Sequence, residues 1–401
     1  MSTPPSTPAV TVPGGLRLPR VLGVPVFVSP TWFLFAALVV LSYGPALTPG
    51  LGAARAYTAA AAFALLLLVS VLLHEIGHCV VARAFGLPVR SITVTFLAGL
   101  TEITEPPQTP AREYAVAVVG PMVSLLLAAV GAGVSPLFEP GSLPHLLALA
   151  TAATNGVVAA FNLLPGLPLD GGRVLRAGLW RLTGDPERAT VLAAGAGLVV
   201  AVVVVPLLVL VAVPALGLGG PTLVTVLFAV LVAGFVFAGA NASLQRARLV
   251  QRLPAGLLAR LARPATSVPP DLPLAEAVRR AQDTGRSAVV VLDAAGRVAG
   301  LVHEEAVRAV PEHRRPWVPV ADVARQLGPE LVLDPALRGE DLLAVLRTTP
   351  ASEYLLAGDA QPRVVSTADV VRAATGRRAR SRSGAIARFR RRGRSATPRR
   401  G

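Results

Sequence analysis

The chain has 401 residues, of which 53% are hydrophobic and 15% charged, and its mean hydropathy is +0.60. Soluble domains carry roughly 25% charged residues, so a wholly soluble protein is excluded and membrane spans with a soluble part attached are expected. The net charge of +15 is concentrated at one end: all 38 basic residues are arginine, and 11 of them follow Gly376 in a segment without any acid.

Residues 1–20 begin with the Pro/Ser/Thr-rich MSTPPSTPAVTVPGG, which reads as a disordered tail. The apolar stretch behind Arg17 and Arg20 reads as a retained first span, because no small-residue cleavage site ends a short apolar core. A span needs about 20 mainly apolar residues. Six are predicted, over 27–48, 56–82, 113–135, 144–163, 190–216 and 222–241, within a membrane domain covering 21–250. Arginine clusters at 17–20, 83–90, 173–188 and 246–252 all fall on one side of that pattern, and only Arg55 falls on the other. By the positive-inside rule both termini are cytoplasmic in a multi-pass protein of the cell membrane.

The second span reads LLLLVSVLLHEIGHCVVARAFG (65–86) and carries His74, Glu75 and His78 in five positions. A charge near the bilayer centre costs about 2.5–3.5 kcal/mol even on lenient scales, so idle ionisable groups are disfavoured there. HEIGH is an HExxH motif. Positions i and i+4 share a helix face, which lets His74 and His78 present two imidazoles to one metal ion while Glu75 reaches an adjacent water as a general base. Cys79, the only cysteine, lies about 100° round the helix from His78 and reads as packing. As a lone cysteine it also rules out an intrachain disulfide and a cysteine-based zinc cluster.

The segment SITVTFLAGLTEIT (91–104) is rich in β-branched residues around Ala98-Gly99 and predicts a small β-hairpin that dips towards the membrane beside the ionisable helix. A catalytic zinc ion needs a third protein ligand. Glu102, Glu105 and Glu113 are near in sequence; Asp170 lies further on, in the Pro- and Gly-rich break FNLLPGLPLDGGRV (161–174). Irregular backbone at membrane depth is expected around a cavity. Asp170 can equally cap a helix beginning near Gly172, and the residues alone leave that contest open. Gly195, Gly197, Gly217 and Gly219, in and after the fifth predicted span, suggest close helix packing or a mobile pair.

Beyond about residue 254 the pattern changes to short strands and helices. Residues 263–307 and 318–374 repeat one order, with SAVVVLDAAGRVAGLV matching EYLLAGDAQPRVVS, so a soluble α/β domain over 262–375 is expected on the cytoplasmic side. Residues 376–401 read as a basic, disordered tail suited to anionic lipid; no nucleic-acid role is expected of it.

HEIGH together with N-x-x-P-x-x-P-L-D-G (162–171) resembles the site-2 protease family, the intramembrane zinc metalloproteases of peptidase family M50. The stretches AREYAVAVVGPMVSLLLA (111–128) and TFLAGLTEI (95–103) extend the resemblance over about 15–250. The fold class it implies is a polytopic α-helical membrane protein of six transmembrane helices, with a small β-hairpin near the active site. It implies one Zn2+ per chain held by His74, His78 and Asp170, with Glu75 as catalytic base and Asn162 positioning substrate. Ser124 departs from the asparagine of many relatives and is expected to affect packing more than zinc. The substrate implied is a single-pass membrane protein, such as an anti-sigma factor or a membrane-tethered transcription factor.

The C-terminal repeats resemble a pair of CBS modules, which implies a possible homodimer through that pair and an adenine nucleotide held by Ser366 and Asp369 in STAD. The first repeat has His303 and Ala306 at the matching places, so at most one such site is expected, and a ligand-free dimerisation or docking module fits the pair equally. Two other functions fit the same ligands: a CBS-gated zinc or ion transporter, and an inactive protease-like scaffold. The transporter predicts a polar path across the membrane, which the first, fifth and sixth spans lack, and the intact Glu75 speaks against the scaffold.

Overall fold

The computed structural model describes residues 14–96, 98–212, 222–286, 288–358 and 361–375. Residues 1–13 and the arginine-rich 376–401 lie outside the described residues, and so do Gly217 and Gly219. Two compact units divide between Gln245 and Arg246.

The first unit holds the apolar helices. Six are long and apolar enough to cross a membrane: Pro30–Leu51, Ala53–Ala84, Pro110–Leu137, Leu143–Asn162, Pro186–Val211 and Thr225–Gln251. Each predicted span is present, with ends moved by up to five residues in the first five; the sixth runs ten residues further than expected. Capping residues set several starts. Ser29, Thr109 and Ser142 each accept a backbone N–H of the first turn, and a proline stands at the start of each helix, where its missing N–H costs nothing. The second span, Ala53–Ala84, has 32 residues, about 48 Å at 1.5 Å per residue, and so passes beyond a hydrocarbon core of about 30 Å. Its buried stripe is small (Ala56, Ala60, Ala64), whereas Leu65, Val69 and Leu73 face outwards. Small residues inside and large apolar residues outside are what close helix packing in lipid demands.

A four-stranded sheet lies against these helices in the order β1 (Leu16–Val21), β2 (Val24–Val28), β3 (Val89–Val94), β4 (Gly99–Ile103). The expected hairpin is therefore half of a larger sheet. Residues 16–20, expected to belong to a disordered tail, pair instead with β2 through a two-residue turn in which Leu22 and Gly23 both have positive φ. That is the geometry of a type I′ hairpin. β2 and β3 pair in parallel, Val26 opposite Ile92, and the first two spans form the crossover between them. The sheet packs on the second span through Val24, Val26, Ile92 and Cys79, so Cys79 is a core residue.

The second unit contains the repeats. In the first, Arg263–Val268 pairs in parallel with Ala288–Leu292, which pairs antiparallel with Val298–Val302. In the second, Val332–Leu333, Glu353–Leu356 and Arg363–Ser366 repeat that arrangement. The two halves join edge to edge, Arg363–Ser366 against Arg263–Val268, giving one seven-stranded sheet. This is the internally duplicated α/β domain that the repeat predicted.

Candidate active site

His74 and His78 sit on the buried face of the second span, ten and six residues before its last residue, or about 15 and 9 Å along the helix. Asp170 is not at the end of the fourth span. That helix stops at Asn162, and after a loop Asp170 opens a new helix, Asp170–Thr183, whose N-cap is Leu169. Asp170 is thus not a capping residue; its carboxylate is free to point inwards.

The three residues meet. His74 Nε2 lies 3.1 Å from Asp170 Oδ2, His78 Nε2 3.2 Å from the same oxygen, and the two Nε2 atoms 3.2 Å apart. This is the one His/Cys/Asp/Glu group of three or more with metal-ligand spacing among the described residues. Four ligands at 2.0–2.1 Å in a tetrahedron stand about 3.3 Å apart, so these atoms fit one face of a zinc site and leave the fourth position open. Hydrogen bonding supports that fit. His78 Nδ1 donates to the Val116 carbonyl at 2.7 Å, which leaves a lone pair on Nε2, and the Ser124 hydroxyl can accept from His74 Nδ1 at 2.9 Å. Two neutral imidazoles and a carboxylate then aim three lone pairs at one point, an arrangement that calls for a cation.

One stripe of the third span builds the surround. Glu113, Val116, Gly120 and Ser124 recur at helical spacing and are all buried. Val116 and Ser124 orient the two rings. Gly120 leaves the space they occupy, since a Cβ there would lie 2.2 Å from His78 Nε2 and 2.5 Å from His74 Nε2. Glu113 accepts from Arg173 Nε at 3.2 Å and pairs with Arg176 Nη1 at 3.1 Å, both on the helix that Asp170 begins. Ser124 therefore does more than pack: it holds a candidate ligand. Its hydroxyl reaches the ring because the two helices cross closely at this level, which the sequence does not reveal.

The other acids considered as third ligand lie elsewhere. Glu102 pairs with Arg90 and accepts from Ser91, Glu105 is exposed, and Glu113 is engaged by the arginines. The loop before Asp170 is seated by missing side chains: a Cβ on Gly197 would strike the Leu167 carbonyl at 1.9 Å, and one on Gly239 the Pro168 ring at 2.5 Å. Gly197 thus provides close packing, here of a helix on a loop.

Glu75 is buried next to His74, and its Oε2 accepts from Thr101 Oγ1 at 2.6 Å. Its carboxyl fills the hollow over Gly99, where a Cβ would come within 2.3 Å of Oε1. Asn162 is half-buried at the end of the fourth span, and no side-chain hydrogen bond joins it to the three converging residues. In the second unit Ser366 accepts from the backbone N–H of Ala368. Asp369 pairs with Arg372 and has Arg263 Nε 3.8 Å away. His303 instead faces Ser352 at 3.1 Å, and burial together with the nearby Arg325 lowers its imidazole pKa, partly opposed by Glu305.

A helix pair that brings HExxH and a distant aspartate together within a bundle of apolar spans defines a membrane metallopeptidase. A family profile for peptidase family M50 matches residues 62–141 and 136–206, and a CBS-domain profile matches 259–312. The putative zinc metalloprotease Rip3 of Mycobacterium tuberculosis is 35% identical over 327 residues, which is 77% of this chain and 79% of that protein. The putative zinc metalloprotease sll0528 of Synechocystis is 40% identical over 189 residues, 45% of this chain and 48% of the relative, so the match spans about half of that protein. The solved site-2 protease of Methanocaldococcus jannaschii is 28% identical, with a TM-score of 0.40, and the match covers 57% of this chain and 95% of that one.

The chain belongs to peptidase family M50, the site-2 proteases. It is a zinc metallopeptidase and a multi-pass membrane protein with a CBS domain.

Proposed function

We propose that the chain cleaves membrane-spanning segments of other proteins, with His74, His78 and Asp170 holding the zinc ion and Glu75 acting as general base. What supports this most is the convergence of three ligand atoms at 3.1–3.2 Å beside a buried carboxylate. Zinc bound there supplies Lewis-acid activation of water and of the scissile carbonyl. Glu75 takes the proton of the attacking water and delivers it to the leaving amine. Asn162 positions substrate.

Helical backbone hides its carbonyls, so the substrate must unwind before attack. β4 is an edge strand, and an unwound segment added to it gains backbone hydrogen bonds. The substrate is a single-pass membrane protein, for instance an anti-sigma factor or a membrane-tethered transcription factor. Both termini face the cytoplasm at the plasma membrane, the arginine-rich tail binds anionic lipid, and the CBS pair supports a homodimer.

Co-expression with a panel of single-span proteins tests the chemistry. Glu75→Gln is expected to lower cleavage by roughly 10²- to 10⁴-fold while the purified protein keeps its zinc. Equal cleavage by wild type and variant would refute the mechanism.

The CBS pair holds one adenine nucleotide, at Ser366 and Asp369, and its occupancy adjusts cleavage. Asp369 already attracts two guanidinium groups, so a nucleotide there must compete with Arg372 and Arg263 for the carboxylate. Equilibrium dialysis of the full chain with ATP should show one site per chain, lost in Asp369→Ala; binding that survives the substitution places the nucleotide elsewhere.

A further inference from the structure

We propose that Thr101 is the positioning residue for the base: its hydroxyl holds the Glu75 carboxylate in the orientation that lets it accept a proton. This rests on the reading of Glu75 as general base.

Thr101 Oγ1 lies 2.6 Å from Glu75 Oε2 and 3.2 Å from the Glu75 carbonyl oxygen. A hydroxyl has one proton to donate. The shorter distance falls in the range of charge-assisted O–H···O⁻ bonds, so the proton goes to the carboxylate. Ordinary strand packing does not require this. On β4, residues 99, 101 and 103 face one way and 100 and 102 the other. Leu100 is largely exposed. On the inner face, the two positions that meet Glu75 are the glycine whose missing side chain makes room for the carboxyl and the threonine whose hydroxyl ties it down.

The bond engages one oxygen and leaves Oε1 as the oxygen with a free role in proton transfer. It also limits the rotation of a buried side chain. Because Thr101 belongs to the edge strand of the sheet, the orientation of the base and the position of that strand are set together.

The test uses the full-length protein, purified with its lipid, and one cleavable single-span substrate. Thr101→Val keeps shape and strand preference but removes the donor; Thr101→Ser keeps the donor. We expect Thr101→Val to lower kcat roughly 10- to 100-fold, with KM, zinc content and thermal unfolding unchanged, and Thr101→Ser to stay within about threefold of wild type. A Thr101→Val enzyme with wild-type kcat overturns the proposal, as does a serine variant equally impaired, or a loss expressed only in KM. Glu75→Gln is measured beside them. If it is inactive while Thr101→Val is fully active, the positioning role alone fails; if it cleaves at the wild-type rate, the base assignment itself fails.

Discussion

Gly120→Ala should remove zinc and activity together, although it adds one methyl group and replaces none of the proposed ligands. The new Cβ would stand 2.2 Å from His78 Nε2, 2.5 Å from His74 Nε2 and 2.6 Å from His78 Cε1, and carbon atoms do not approach imidazole atoms so closely. The rings cannot withdraw cheaply. His78 is tied to the Val116 carbonyl and His74 to Ser124, both on the helix that would carry the methyl group. Displacing the rings therefore breaks both supporting hydrogen bonds as well as the convergence on Asp170. Loss of supporting bonds alone typically weakens metal affinity about 10- to 100-fold, and here the ligand atoms themselves are pushed aside. We expect zinc affinity to fall by more than about 100-fold, with the helical circular-dichroism signal retained. Metal analysis after dialysis against a chelator reads this directly; a variant that keeps its zinc and cleaves substrate would mean that the third span can move away from the second.

Glu113→Ala should give the largest loss of stability among single substitutions in the first unit. Glu113 is almost fully buried, only 2% exposed, and neutralises two arginines of the helix that begins at Asp170. Removing one partner of a buried ion pair costs about 3–5 kcal/mol, because the charges left behind have no compensation. Arg173 and Arg176 are 25% and 19% exposed at their side chains, so solvent screening places the expected loss towards the lower end, about 3 kcal/mol. The exposed pair Arg279–Glu276 in the second unit provides a contrast, since solvent screens its charges and its loss should leave stability nearly unchanged. The loss should not stay remote from the metal. With its anchor gone, the Asp170–Thr183 helix is free to shift at its first turn, and zinc affinity should fall roughly tenfold. Thermal unfolding in detergent and zinc retention against a chelator measure the two effects. Glu113→Gln, which keeps a hydrogen-bond acceptor, should be milder in both. A Glu113→Ala protein with unchanged melting and zinc content would show that the arginines find other partners.

These two residues also show where reading the sequence stops. Glu113 was visible as an acid near the motif and was open as a third metal ligand; it is instead the counter-ion of two arginines 60 and 63 residues away in the chain. Gly120 was visible as part of a Gly-Pro break in an apolar run, with no sign that its missing side chain makes room for two imidazoles. Thr101 looked like one more β-branched strand residue. Strand alternation places it on a face, but which helix that face meets is not a local property. The strand Leu16–Val21 is not legible in the sequence because it follows a disordered-looking composition and its partner lies across a turn with two residues at positive φ, one of them leucine.

What the sequence determined by itself was whatever follows from local periodicity and composition. Six apolar runs are long enough to span a bilayer, HEIGH places two imidazoles on one helix face with Glu75 beside them, and the C-terminal pattern occurs twice. The family resemblance then singled out Asp170 from four candidate acids. Only the tertiary structure decided which groups meet. Asp170 stands 92 residues beyond His78 at the start of its own helix, and a close approach of that helix to the second and third spans brings its carboxylate to 3.1–3.2 Å from both rings. The physical reason is that helical periodicity fixes the face on which a side chain lies. Which faces come together depends on where glycine and alanine permit helices to approach, and on which buried charges must find their partners.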